Sequence, residues 1–329
     1  KKLVFNALKN KKHVVTANKA LIAKYGDQLS RIAEKNKVNL EFEASVCGGV
    51  PIIRSLKEGL IANKISKIYG IFNGTSNYIL SSMENENKSF QDVLTKAKTL
   101  GYAESNPSAD LNGDDVSSKL KILSSLCFNS FLNKDIYVEG IKDIDKTDID
   151  NANKLGYKIK LLGFAELLNN KIYQRVHPTL IKKNSYVASI DGVLNAVIVE
   201  GKPVGQSIIQ GEGAGPAATT SALVSDISSI LRGNIKFPFS ISSKKRKKIR
   251  FEKIDNRAFS AYLRFEVIDK PGVLSNITNI FSKNRVSIKR LVQNPDKNKK
   301  SSSIIIVTHN SKDKYLKKII REISRKGFI

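Results

Sequence analysis

Two cysteines, Cys47 and Cys127, are the only thiols in 329 residues. That is too few for a disulfide framework or a thiolate zinc site, and it fits a reducing cytoplasm. No apolar run approaches the roughly 20 residues that a membrane span needs, which excludes a membrane protein of the helical kind. No signal peptide opens the chain, which starts mid-pattern at Lys1, so an earlier segment is expected to be missing from it. No period of roughly 20 to 50 residues repeats, which excludes solenoids and propellers. Nor does a G-x-G-x-x-G follow a strand anywhere, the turn with which a dinucleotide-binding domain begins.

Acidic residues are also scarce, 30 against 56 basic, leaving a net charge of +26. Such a balance can mark a nucleic-acid binder. Lysine outnumbers arginine 44 to 12, however, and the lysines are spread along the whole chain beside many Asn and Ile residues. That suits an AT-rich coding bias better than a phosphate-tracking face, and aromatic interleaving is lacking. The one dense cluster, Ser242 to Arg250 (SSKKRKKIR), reads as a solvated linker. A hydrophobic content of 41% is ordinary for a folded protein, and the length allows two or three domains.

What is present is alternation. His13 to Ala17 is a β-branched run, then a helical pattern covers Asn18–Asn36, and a second strand is expected at Leu40–Val46. A helix at Val50–Leu60, a strand at Ile65–Phe72 and helices within Ser76–Met83 and Phe90–Thr99 continue an α/β order. Strands dominate Tyr157–Gln210, with an Asn-Asn turn among them. A Gly-rich stretch, Gly211–Pro216, then opens a further helix. Gly233–Asn256 is polar and basic. The remainder, Ala258–Ile329, reads β-α-β-β-α and, with a short closing strand, is a ferredoxin-like unit.

The densest chemistry lies in Gly101–Lys119, GYAESNPSADLNGDDVSSK. Glu104, Asp110, Asp114, Asp115 and Lys119 crowd a loop and the helix after it. Asp114 or Asp115 is expected to cap that helix, and Asp115 and Lys119, four apart, share a face. On spacing alone, a capped surface helix with one ion pair competes with a functional cluster.

D-L-N-G-D-D-V-S-S-K, preceded by G-Y-A-E, resembles the Asp-x-x-Gly-x-Asp-x-x-x-Lys pattern of the homoserine dehydrogenases. The resemblance implies NADP- or NAD-dependent interconversion of L-homoserine and L-aspartate 4-semialdehyde, in threonine and methionine biosynthesis. It makes Lys119 the acid–base residue, puts Asp115 and Asp110 at the substrate, and gives Glu104 the substrate ammonium. The chemistry agrees, since hydride addition to an aldehyde builds charge on oxygen that a nearby ammonium can neutralise with a proton. Neighbouring carboxylates would keep that lysine protonated.

Other segments carry the same likeness. HVVTANKALIA resembles the end of the family's cofactor domain and implies Lys19 near the nicotinamide and the substrate hydroxyl. FEASVCGGVPII resembles a loop that holds a sodium ion, implying Glu43, Val46, Gly48 and Val50 as ligands. Cys47 replaces the usual glycine there and must accept that glycine's backbone angles. NGTSNYIL is a hallmark at the edge of the substrate pocket. QGEGAGPAATTSAL resembles the late cofactor loop, implying Gly213 and Gly215, with Gly101 as a further cofactor contact. His177 is read as structural. VIDKPGVLSNITNIFSKN resembles the ACT domain, an amino-acid sensor, and implies Asp269, Gly272, Val273, Leu274 and Asn276 on the effector side, with threonine as effector.

The expected organisation is α/β throughout. A partial Rossmann-type dinucleotide-binding domain covers 1–44 and is joined by the helix at 215–232. A mixed α/β substrate and dimerisation domain covers 45–213, a basic linker 233–257 and a ferredoxin-like ACT domain 258–329. The expected assembly is a cytoplasmic homodimer or homotetramer without nucleic-acid or membrane partners. The competing reading is a regulatory amino-acid-binding protein with an inactive dehydrogenase part.

Overall fold

The computed structural model describes residues 1–296 and 301–329, which divide into two compact units, Lys1–Arg250 and Phe251–Ile329. The expected 1–44 and 45–213 parts therefore belong to one unit. The first opens with α1 (Lys2–Lys9), β1 (Val14–Val15), α2 (Lys19–Asn36) and β2 (Leu40–Glu41). β1 and β2 pair in parallel, with Val14 opposite Leu40, and α2 makes the crossover. Asn18 starts α2 by accepting the Leu21 amide on its side chain, and Leu21, Ile22, Leu29 and Ala33 bury one stripe of it. Lys19 thus stands at the carboxyl end of β1, where ligands of parallel sheets gather.

The strand expected to reach Val46 stops at Glu41. The Glu43 carboxylate accepts the amides of Ile53 at 2.8 Å and Arg54 at 2.7 Å, which folds Glu43–Ser45 into a turn. Those bonds cap α3 (Ile52–Arg54), which loosens into a π-type turn at Ser55–Gly59. The helix expected at Val50–Leu60 is correspondingly short.

The main sheet contains β3 (Lys64–Ile71), β4 (Tyr137–Val138), β5 (Tyr157–Leu168), β6 (Lys171–Lys182), β7 (Leu194–Lys202) and β8 (Gly205–Glu212). Their order is β4-β6-β5-β3-β7-β8, antiparallel except where β4 meets β6. β5 turns into β6 at Asn169-Asn170, both with positive φ, as a two-residue hairpin of the primed type requires. The helices between these strands are α4 (Gly74–Asn85), α5 (Phe90–Thr99), α6 (Ser108–Leu111), α7 (Asp114–Cys127) and α8 (Lys146–Lys154). α4, α7 and α8 pack on β5, and Phe72, Val116, Leu120 and Leu123 are fully buried between the layers. A buried lysine, Lys160 of β5, bonds the Asn77 side chain at 3.0 Å and the Ile190 carbonyl at 2.6 Å, tying α4 to the sheet.

α9 (Pro216–Leu231) lies against β1 and the Glu43–Ser45 turn, where the Glu43 amide donates to Asp226 at 2.9 Å. The chain beyond α9 is not the solvated tether expected at 233–257. Asn39 exchanges hydrogen bonds with the backbone of Asn234 and Lys236. Phe239 is buried, its ring 5.2 Å from Phe42 and 5.5 Å from Phe131. Arg246 bonds Asp27 at 2.6 Å and Glu34 at 3.2 Å on α2. Phe239 and Arg246 dock the segment, while the lysines around Arg246, together with Ile235, Phe237 and Arg250, face water. β9 (Arg250–Phe251) ends it.

The second unit contains β10 (Ala258–Phe259), β11 (Tyr262–Ile268), α10 (Val273–Lys283), β12 (Ile288–Asp296), β13 (Ser301–Thr308), β14 (Ser311–Lys312) and α11 (Asp313–Ile323). β10 pairs with β14, and a three-stranded antiparallel sheet runs in the order β11-β13-β12. Ile277 and Phe281 of α10 and Ile319 and Ile323 of α11 bury one apolar face on Ile304 and Ile306. The expected closing strand does not form among the described residues. Instead the Phe328 carbonyl accepts a single bond from the Ile268 amide at the edge of β11.

Candidate active site

β3 ends at Ile71, and the two residues after it hold the charged cluster in place. The Phe72 carbonyl accepts from Lys119 Nζ at 2.7 Å. The Asn73 side chain caps α4 with its oxygen and donates with its nitrogen to Asp110 at 2.7 Å and Asp115 at 2.9 Å. Gly113, at φ +86°, starts α7 against Val138 and Val176, where a Cβ would crowd both. Neither Asp114 nor Asp115 is the cap that was expected. Both sit in the first turn, where free amides favour negative charge; Asp114 points to water and Asp115 inward.

Asp115 is gripped from two sides. Lys119 Nζ stands 2.8 Å from Oδ2, and Lys19 Nζ stands 2.5 Å from Oδ1. Burial pushes the Asp115 carboxyl up, but Lys119, Lys19 and the Asn73 amide together overcome this and hold it at about 2. Burial raises Asp110, against the Asn73 hydrogen bond. Burial works to lower Lys119, yet Asp115 outweighs it and the ammonium is held above its ordinary value. Of the three hydrogens of Lys119, two are taken by Phe72 and Asp115, leaving one for a substrate oxygen.

The predicted loops also converge. The Gly49 amide donates to the Glu212 carbonyl at 3.0 Å, and a Cβ on Gly48 would press on the Gly213 carbonyl. Cys47 takes φ +54°, as the glycine it replaces would, and its buried thiol, raised by burial, senses the Lys119 charge and the Asn195 amide. Asn195 packs on Gly213 so closely that no side chain fits there. It is fully buried, and neither of its amide atoms has a hydrogen-bond partner of ordinary length among the described residues. α9 begins without a side-chain cap, and the space around Gly215 is open. An amide with the Cys47 thiol as its polar neighbour, beside an uncapped helix start, fits a ligand with its own carboxamide or phosphate oxygens, as a nicotinamide cofactor has.

Not every expected residue joins the cluster. Glu104 is exposed in the loop before α6 and makes no bond to Asp110, Asp115 or Lys119 among the described residues; a lone carboxylate stays hydrated. Gly101, at φ +75°, is accounted for by the end of α5, its amide bonding the Lys98 carbonyl at 3.1 Å. The Glu43 carboxylate accepts the two amides of α3, and burial raises it to about 7 against them. His177 is half-buried, bonded through Nδ1 to its neighbours and held neutral, which agrees with a structural role. In the sequence Asn73 figures only as the start of NGTSNYIL, without a role, and Asn195 is not singled out. An Asn at a strand end before Gly-Thr-Ser is a cap signal, but nothing in it tells which acids the other half of the amide meets.

In the second unit Asp269, Gly272, Val273 and Leu274 line a cavity of about 410 Å³ with Lys270 and Gln293. Asn276 is not part of the lining. Its side chain donates to the Gly272 carbonyl at 2.9 Å and steadies the turn instead.

Residues 51–228 match the family profile described as homoserine dehydrogenase, 1–43 that of its NAD binding domain, and 261–327 that of the ACT domain. A homoserine dehydrogenase of Neisseria gonorrhoeae is 42% identical over 98% of this chain and 76% of its own. A crystal structure of a homoserine dehydrogenase from Thiobacillus denitrificans superposes with a TM-score of 0.92 at 40% identity, covering 99% of this chain and 76% of that one. A hyperthermophilic archaeal homoserine dehydrogenase in complex with NADPH superposes at 0.62 with 28% identity, covering 72% and 69%.

Proposed function

The chain belongs to the homoserine dehydrogenase family, an NAD(P)-using group of oxidoreductases, and we propose that Lys119, Asp115 and Lys19 carry its reaction. The observation behind this assignment is the Asp115 carboxylate held between two lysines, one of them with a hydrogen to spare. The chemistry that a nicotinamide cofactor supplies here is hydride transfer to and from the carbon bearing the reacting oxygen. Lys119 gives its third hydrogen to the oxygen of L-aspartate 4-semialdehyde as charge develops on it, and takes it back from L-homoserine in the other direction. Asp115 keeps Lys119 charged and aimed, and Lys19 lies on the cofactor side. Lys19, Gly213, Gly215 and the first amides of α9 would hold the nicotinamide end. Asp110, and Glu104 once its loop meets an ammonium, bind the amino acid.

A sodium ion, if held by the 43–50 loop, would rest on main-chain oxygens of Val46, Gly48 and Val50, and no step depends on it. The cavity behind Asp269 takes an amino-acid effector, threonine by our reading. The enzyme is read as a cytoplasmic homodimer or homotetramer; the two cysteines are free and buried, and no helix among the described residues is long and apolar enough to cross a membrane. An inactive dehydrogenase part is not favoured, because the charged cluster is assembled. The test is cofactor reduction by the full-length enzyme. Reduction that depends on L-homoserine supports the reading, and turnover with other hydroxy amino acids but none with homoserine overturns it.

A further inference from the structure

The Asn73 side chain commits its oxygen and its nitrogen to different tasks. Oδ1 accepts from the Ser76 amide at 2.7 Å and the Ser76 hydroxyl at 2.6 Å, as an N-cap does. Nδ2 has two hydrogens, and one goes to Asp110 Oδ1 at 2.7 Å, the other to Asp115 Oδ2 at 2.9 Å. The cap needs only the oxygen; serine or aspartate would serve α4 as well. The nitrogen is what those residues lack. Without a donor between them, the buried Asp115 and the half-buried Asp110 carboxylates repel, and one takes up a proton. Asp115 is faced by Lys19 from α2, Lys119 from its own helix, Asp110 from α6 and the Cys47 thiol from the 46–50 loop. Of these only the lysines favour its charge. The next residue back, Phe72, receives Lys119 itself. One junction between strand and helix therefore fixes both members of the ion pair.

We propose that Asn73 is a positioning residue for proton transfer: its side-chain amide bridges Asp110 and Asp115, keeping both ionised and Asp115 turned toward Lys119. This rests on the reading of Lys119 as the proton donor.

Three variants of the full-length enzyme separate the two tasks. Asn73→Asp keeps the capping oxygen and puts a third carboxylate where the donor was. Asn73→Ser keeps a capping oxygen and removes the donor without adding charge. Asn73→Ala removes both. Asn73→Asp should lower kcat/KM for homoserine by about tenfold or more, and move the acid limb of its pH profile up by about one unit, because Asp115 then protonates sooner. Asn73→Ser should move the limb in the same direction by less, and it carries the test alone if the Asp variant does not fold. NADPH affinity, read by fluorescence titration, should stay within about twofold in both, since the amide faces the substrate side. If the Asp and Ser variants keep the wild-type pH profile and only Ala is impaired, Asn73 is a cap and the proposal falls. A Lys119→Ala enzyme with near-normal kcat would sink the reading beneath it, and the proposal with it.

Discussion

Lys19 stands on the opposite side of the Asp115 carboxylate from Lys119, 2.5 Å from Oδ1 where the other lysine is 2.8 Å from Oδ2. The two cations share one anion but not one environment. Lys119 is buried and its side chain only 10% exposed, whereas Lys19 is 45% exposed. A group that gives its proton to substrate in a water-poor pocket is better placed on the first.

Lys119→Ala should lower kcat by about 10² to 10⁴ in both directions, the usual worth of a general acid, with little change in cofactor affinity. Lys19→Ala should act more on the cofactor KM than on kcat. Steady-state kinetics with each substrate varied will separate them. Near-normal kcat in Lys119→Ala would transfer the donor's role to Lys19.

His177 gives a pH dependence of stability. Burial, then the Arg175 charge, lowers it to about 3 in the folded chain. Above its unfolded value, near 6.5, both states are neutral and nothing is lost. As pH falls from there toward 3, the unfolded chain takes up a proton that the folded chain refuses. Stability then drops by up to about 1.4 kcal/mol per pH unit. Denaturant midpoints of His177→Gln between pH 7 and 4 should fall less steeply than those of the wild type. Parallel curves would show that the ring titrates normally in the fold.

The basic stretch after α9 contains one cation that matters and several that do not. Arg246 is held by Asp27 and Glu34 and lies 5.1 Å from the Phe239 ring. Arg246→Ala leaves Asp27 to Arg31 and Glu34 to Ser243, and the loss of its charged hydrogen bonds should cost about 2 kcal/mol in urea unfolding. Exchanging the exposed Lys244, Lys245, Lys247 and Lys248 for Gln should change it by less than about 0.5 kcal/mol each. A large loss from the lysines, or none from Arg246, contradicts this anchoring.

Asp269 sits at the mouth of the cavity in the second unit, 3.5 Å from Gln293 and exposed. If threonine docks there by its ammonium, Asp269→Ala should raise the inhibitory threonine concentration by about tenfold, the worth of one charged hydrogen bond, with basal kcat unchanged. An unaltered inhibition curve would move the effector elsewhere.

The Asp115–Lys119 pair is legible in the sequence because a spacing of four puts both on one helical face. Cys47 is legible too, since a residue standing for glycine must adopt its angles. Lys19 meeting Asp115 is not, because that contact depends on how α2 and α7 are brought together. Arg246 hides for a related reason. Asp27 and Glu34 are two turns apart on α2 and make one acidic stripe, but only the docked chain reveals that a cation lies along it. Asn169-Asn170 shows the opposite case, a local turn whose chemistry suffices.

The Phe72 carbonyl that receives Lys119 also bears on how the chain folds. Lys19, Asn73 and Asp115 lie on distant stretches, so closing them into one cluster requires long-range loop closure, and little of that entropy is recovered until the last contact forms. The Ser76 amide, bonded to Asn73 at the foot of a buried helix, should then exchange with solvent only when the first unit opens as a whole. Its protection factor would report on the assembled ion pair with neither substrate nor cofactor present.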